Sequence, residues 1–178
     1  MQDTVPIASA PIASIARVAD RLAGIAIAIA AVALSGLVAV QGWQVVARYI
    51  LNDSPSWTEP VTLLLLSTAM SMGAAAGVRT RRHFSFALLA DAVGPGPRHA
   101  MQLLQALVVL VIGALLAYWG GLLFLDGLHI PTAGAAMPES IDYLPIALAG
   151  VLMVLFALAQ MLPGADVAVP AHAEAEAD

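Results

Sequence analysis

The chain has 178 residues, 61% of them hydrophobic and only 11% charged, with a formal net charge of −5; its mean hydropathy is +0.89. Soluble domains carry about 25% charged residues, so this composition excludes an ordinary water-soluble globule. There is no cysteine and no lysine, which removes disulfides, thiolate metal sites and cysteine nucleophiles, and the arginines make no patch basic enough for nucleic acid.

Residues 1–16 mix Pro, Ala, Ser and Ile, and Pro6 and Pro11 oppose a continuous helix. They read as a flexible arm in front of a membrane unit over residues 17–163, with residues 164–178 as a disordered acidic tail. The membrane unit holds four apolar runs, Leu22–Ala47, Val61–Val78, Ala100–Leu125 and Leu144–Leu162. Each is long enough to cross about 30 Å of hydrocarbon as a helix, and backbone groups in lipid must be satisfied within the segment. The fold class expected is an all-α integral membrane protein with four transmembrane helices. The first run exceeds the apolar core of a signal peptide and no small-x-small cleavage site follows, so it is expected to be retained.

Near the end of the first run, Gln41, Gln44 and Arg48 share one helical face. They are either a water-facing end or a polar seam against another helix. Asn52-Asp53-Ser54-Pro55-Ser56 is turn chemistry. Ser56 or Thr58 then suits an N-cap, Glu59 the positive helix end, and Pro60 a first turn. Tyr49 and Trp57 on either side of the turn belong at a membrane interface. Arg48 and Glu59 flank the same turn and are expected to pair.

The second run ends with Gly73 and Gly77 in a Gly-x-x-x-Gly spacing, which permits close helix approach. Arg79, Thr80, Arg81, Arg82 and His83 follow, and the arginines are expected to anchor this face through lipid phosphates and snorkelling. Phe84–Val93 is apolar but too short to span, and Gly94-Pro95-Gly96-Pro97 should stop it. A short interfacial helix between the second and third spans is therefore expected. In the third run Gly113, Ala117 and Gly121 form a second small-residue stripe. Asp126–Asp142 is a loop without Lys or Arg, and Pro145 opens the fourth run.

Arg17, Arg21, Arg79, Arg81, Arg82 and Arg98 fall on one side of the spans and Arg48 on the other, which places both termini in the cytoplasm. No Asp, Glu, Lys, Arg or His lies within the four runs, where coupled carriers keep their ionisable groups. The histidines, His83, His99, His129 and His172, lie in connections or the tail, a placement that disfavours haem in the bundle. Asp126, His129, Glu139 and Asp142 match no compact metal motif. No phosphate loop, nucleophile elbow or zincin motif is present, so no enzyme and no cofactor is expected.

The segments VVARYILNDSPSWTEP, GAAAGVRTRRHFSFALLADAVGPGPR and PTAGAAMPESIDYLPIALAGVLMVL together resemble the small membrane subunit of tripartite ATP-independent periplasmic (TRAP) transporters, the DctQ-like family. The likeness runs over roughly residues 17–162. Its carriers are Arg48 and Tyr49; Trp57, Thr58 and Glu59; Gly73 and Ala74; Arg79 and His83; and Pro138, Tyr143 and Pro145. Pro60 stands where the family often has a second acidic residue, and the second run lacks a tryptophan that the family carries. The resemblance implies an accessory subunit of a sodium-coupled secondary transporter for organic acids in a bacterial inner membrane. Its implied partners are a large permease subunit, a periplasmic solute-binding protein and membrane lipids. The implied role is a scaffold, with Arg48, Tyr49, Trp57, Glu59, Gly73, Gly77, Tyr143 and Pro145 at subunit contacts or structural motifs. The alternative reading is a free-standing tetraspan interaction protein.

Overall fold

The computed structural model describes residues 10–53, 55–80 and 95–161. Four long helices account for nearly all of them: α1 (Ala10–Tyr49), α2 (Thr58–Thr80), α3 (Pro95–Asp126) and α4 (Ser140–Met161), with a single 3-10 turn, Gly127–His129, after α3. All four contain a stretch long and apolar enough to cross a membrane. The expected interfacial helix over Phe84–Val93, together with Arg81, Arg82, His83 and the acidic tail, lies outside the described residues.

The helix boundaries follow local chemistry. α1 already runs through residues 10–16, which the sequence assigns to the arm, because Pro11 stands in its first turn, where no N–H is needed. It stops after Tyr49 where Asn52 adopts a left-handed φ of 55°; the Asp53 N–H then turns back to the Ala47 carbonyl at 3.1 Å. Pro95 and Pro97 do not merely end what precedes them. They begin α3, again in a first turn. α4 starts earlier than its apolar run, so Pro145 falls in its second turn and is buried.

The helices form an open row instead of a closed bundle. α3 packs along α4 and α1 along α2, and α2 against α4 joins the two hairpins; α1 meets α4 only lightly and shares no packed interface with α3. In cross-section the order is α1, α2, α4, α3. Burial follows that order: the membrane stretch of the inner helix α4 is 33% buried and that of the edge helix α3 only 11%. Among the described residues a compact core forms where α1, α2 and α4 converge. There Phe156, fully buried, is enclosed by Ala19, Ala23, Ala26, Met72, Ala75 and Ala76.

Four hydroxyls within the helices are satisfied locally. The hydroxyls of Ser35, Thr68, Ser71 and Thr80 donate to the carbonyls of Ala31, Leu64, Ser67 and Ala76, one turn back. In lipid this spares each hydroxyl the cost of an unmade bond.

Candidate functional site

Function in such a molecule rests on how its ends are tied and on which faces are left uncovered. At the arginine-bearing end, Arg79 is expected among lipid phosphates, yet its side chain is only 9% exposed and its Nε donates to Asp20 Oδ1 at 2.8 Å. Its Nη2 reaches the Ala16 carbonyl at 3.5 Å, and the neighbouring Val78 carbonyl accepts from Gln160 Nε2 at 2.8 Å. Two adjacent residues of α2 thus fasten α1 on one side and α4 on the other. Asp20 and Gln160 escape sequence reasoning because 59 and 82 residues separate them from their partners. Arg21 on α1 remains exposed.

At the opposite end, the residues after α3 fold into a small hairpin. Pro131 and Pro138 face each other as an antiparallel bridge, Thr132 N donates to Met137 O and Glu139 N to Ile130 O, both at 2.9 Å. Gly134 sits at its tip with a φ of +86°, and a Cβ there would lie 2.6 Å from the Ser56 carbonyl oxygen. Only glycine meets both conditions. The Ser56 hydroxyl donates to the Gly134 carbonyl at 3.0 Å, so Ser56 ties two loops together instead of capping α2. Thr58, fully buried, donates its hydroxyl to the Pro55 carbonyl at 2.8 Å, which closes the turn rather than accepting from the helix.

Arg48 and Glu59 are both exposed and do not pair: among the described residues the ion pair within 4 Å is Arg79–Asp20. The chain turns between α1 and α2 through the left-handed Asn52, and the two side chains end apart. Tyr143 lies at the base of the outer hairpin, where its hydroxyl donates to Glu139 Oε1 at 3.2 Å. Tyr49 and Trp57 are exposed at the same end.

The small-residue stripes divide. Gly73 and Gly77 have open space beside them, whereas Gly113 and Gly150 stand face to face across α3 and α4, and Gly120 touches Ala147. Gly121 points into open space and Gly120 takes its place in the contact. On the far part of α1, Gln41 and Arg48 are exposed and Gln44 is half-buried, and none has a hydrogen bond or ion pair within the described residues. Among those residues no three His, Asp or Glu side chains converge as a metal site would require.

A family model described as "Tripartite ATP-independent periplasmic transporters, DctQ component" matches residues 37–166. The chain belongs to the DctQ family. It is also similar to the sialic acid TRAP transporter small permease protein SiaQ of Vibrio cholerae, at 30% identity over 84 residues, which is 47% of this chain and 49% of that protein. The chain therefore spans about half the length of the curated relative it matches. A DctQ chain is a transporter component, and four spanning helices suit a multi-pass membrane protein. The DctQ match takes in Gln41, Gln44 and Arg48 of α1, all of α2, α3 and α4, and the outer hairpin. It leaves out the first part of α1, where Arg17, Asp20 and Arg21 lie.

Proposed function

We propose that this DctQ chain is the scaffold of a TRAP transporter for organic acids: it holds a large permease subunit in place and moves no solute itself. One observation carries the reading. Among the described residues the helices form a row with both broad faces uncovered, and Gln41, Gln44 and Arg48 on α1 find no hydrogen-bond or ion-pair partner. An amide left in hydrocarbon without a hydrogen bond is costly, so a second protein surface is the natural cover for it. Gly73 and Gly77, equally uncovered, leave room for another helix to come close. The absence of any charged residue in the middle of the spans agrees with a helper rather than a carrier. The sodium coupling, and a periplasmic binding protein that delivers the acid, belong to the assembled transporter. The name of the Vibrio cholerae relative makes a sialic acid the first substrate to try.

Co-expression with a TRAP large permease subunit should yield a complex that survives mild detergent. Gln41→Leu combined with Gln44→Leu should weaken it about three- to tenfold, the worth of one or two interhelical hydrogen bonds in a membrane. Clean separation of the wild-type pair would sink the scaffold reading in favour of a free-standing tetraspan protein.

In the sequence, six of the seven arginines fall in the flanks on one side of the spans, which supports reading both termini and the connection after α2 as cytoplasmic in a bacterial inner membrane. The chain has no cysteine, so one introduced by Ala136→Cys, in the exposed outer hairpin, can be followed alone. An impermeant maleimide should label it in spheroplasts, while Gln2→Cys should react only after the membrane is opened. The reverse pattern would invert the topology.

A further inference from the structure

At the arginine-bearing end an apolar groove of about 260 Å³ lies between α1 and α4. Ile15, Val18 and Leu22 form one wall and Leu155, Phe156 and Ala159 the other, with Ser14 at the mouth. Almost no polar atom lines it, so ordered water has nothing to bind there. Its depth runs from the first turns of α1 inward, as a lipid tail enters a membrane from its headgroup. Arg21 flanks it: it is exposed, it follows Val18 by one turn on the same helix, and side chains on a helix lean toward the N-terminus. Its guanidinium is thereby carried toward the mouth. Asp20, the acidic side chain on this part of α1, is taken by Arg79 and does not neutralise Arg21.

We propose that this groove holds one acyl chain of an anionic glycerophospholipid from the leaflet at this end, with its phosphate against Arg21. Charge and shape select the same occupant. A zwitterionic lipid could fill the groove but would gain less at the rim, and a soluble anion would gain at the rim but leave the groove empty. Arg21 and the α1 wall of the groove lie outside the DctQ match, whereas Leu155, Phe156 and Ala159 lie within it; the proposal does not depend on the scaffold reading.

The test uses the full-length protein in mild detergent with an equimolar mixture of dioleoyl phosphatidylglycerol and dioleoyl phosphatidylcholine, read by native mass spectrometry. One phosphatidylglycerol should be retained in preference. Arg21→Gln should lower that preference about fivefold, the attraction of one basic residue near an anionic surface. Leu155→Trp, at an exposed wall position, should fill the groove and reduce retention of both lipids, and Ile15→Trp on the facing wall should do the same. Equal retention of the two lipids by the wild type would overturn the proposal, as would an Arg21→Gln protein with unchanged preference. Unchanged retention in both tryptophan variants would reduce the effect to surface charge. If those variants instead lose a co-purifying second copy or large permease while lipid retention holds, the groove belongs to a protein helix and the lipid site is wrong.

Discussion

Replacing Gly150 by valine should force α3 and α4 apart and lower stability by about 3 kcal/mol or more, at the upper end of what overpacking costs in a core. A Cβ at Gly150 would collide with the Ala117 backbone nitrogen and lie 2.8 Å from the Gly113 carbonyl oxygen. These obstacles are backbone atoms of the facing helix, so no side-chain rotation can relieve them. Gly113 makes the same contact from the other side, with Cβ distances of 3.0 Å to the Gly150 oxygen and to Met153 Cβ. In lipid, helices gain little from burying apolar surface, because the tails are as apolar as the side chains. Their association depends on close packing, and this is where the α3–α4 hairpin packs most tightly. Thermal unfolding in detergent, followed by circular dichroism, reads the effect. Gly121→Val is the control, since nothing lies within 4 Å of that position; it should change stability by no more than about 1 kcal/mol. Equal midpoints for the two variants would show that the hairpin does not rest on this contact.

Phe156→Ala should loosen the core that α1, α2 and α4 share. Phe156 is fully buried, and most of its neighbours are alanines, which have no side-chain length with which to refill the space. The cost of such a cavity in a soluble core is about 3–5 kcal/mol. Here the part due to transfer from water shrinks while the lost contacts remain, so about 3 kcal/mol is expected. The slight contact of α1 with α4 should go first, exposing the start of α1 to protease earlier than the rest during a thermal ramp. Phe156→Leu, which keeps most of the volume, should cost less than about 1.5 kcal/mol. A Phe156→Ala protein that unfolds with the wild type would mean that Arg79 and Gln160 alone fasten this end.

Charge and length made most of the fold legible in advance. Runs of apolar residues bounded by arginines, prolines and turn residues mark four spans, because a helix in hydrocarbon needs about 20 apolar residues and tolerates charge only near its ends. What the sequence pattern did not supply was neighbours. Arg48 and Glu59 are close in sequence across one turn and do not meet; Arg79 and Asp20 are distant in sequence and do. Gly73 and Gly77 carry the spacing of a helix contact and meet no helix among the described residues, while the close contact between α3 and α4 lies at Gly113 and Gly150. No sequence signal separates these cases, since a glycine looks the same whether or not a helix stands beside it.

By itself, then, the amino-acid sequence determined the class of molecule, the number of spans, the clustering of arginines at one end and the family. The first three follow from water's refusal to give up charge and from hydrocarbon's refusal to accept an unpaired backbone group; the family follows from the order and spacing of its motifs. Tertiary structure alone decided that the helices stand in the order α1, α2, α4, α3, that Arg79 and Gln160 lock one end, and that Ser56 and Gly134 join the loops at the other. In a soluble protein the buried face of a helix is written in its pattern of apolar residues. Here both lipid and protein favour apolar side chains, so the pattern marks no face, and only the fit of backbone against backbone tells the helices how to line up.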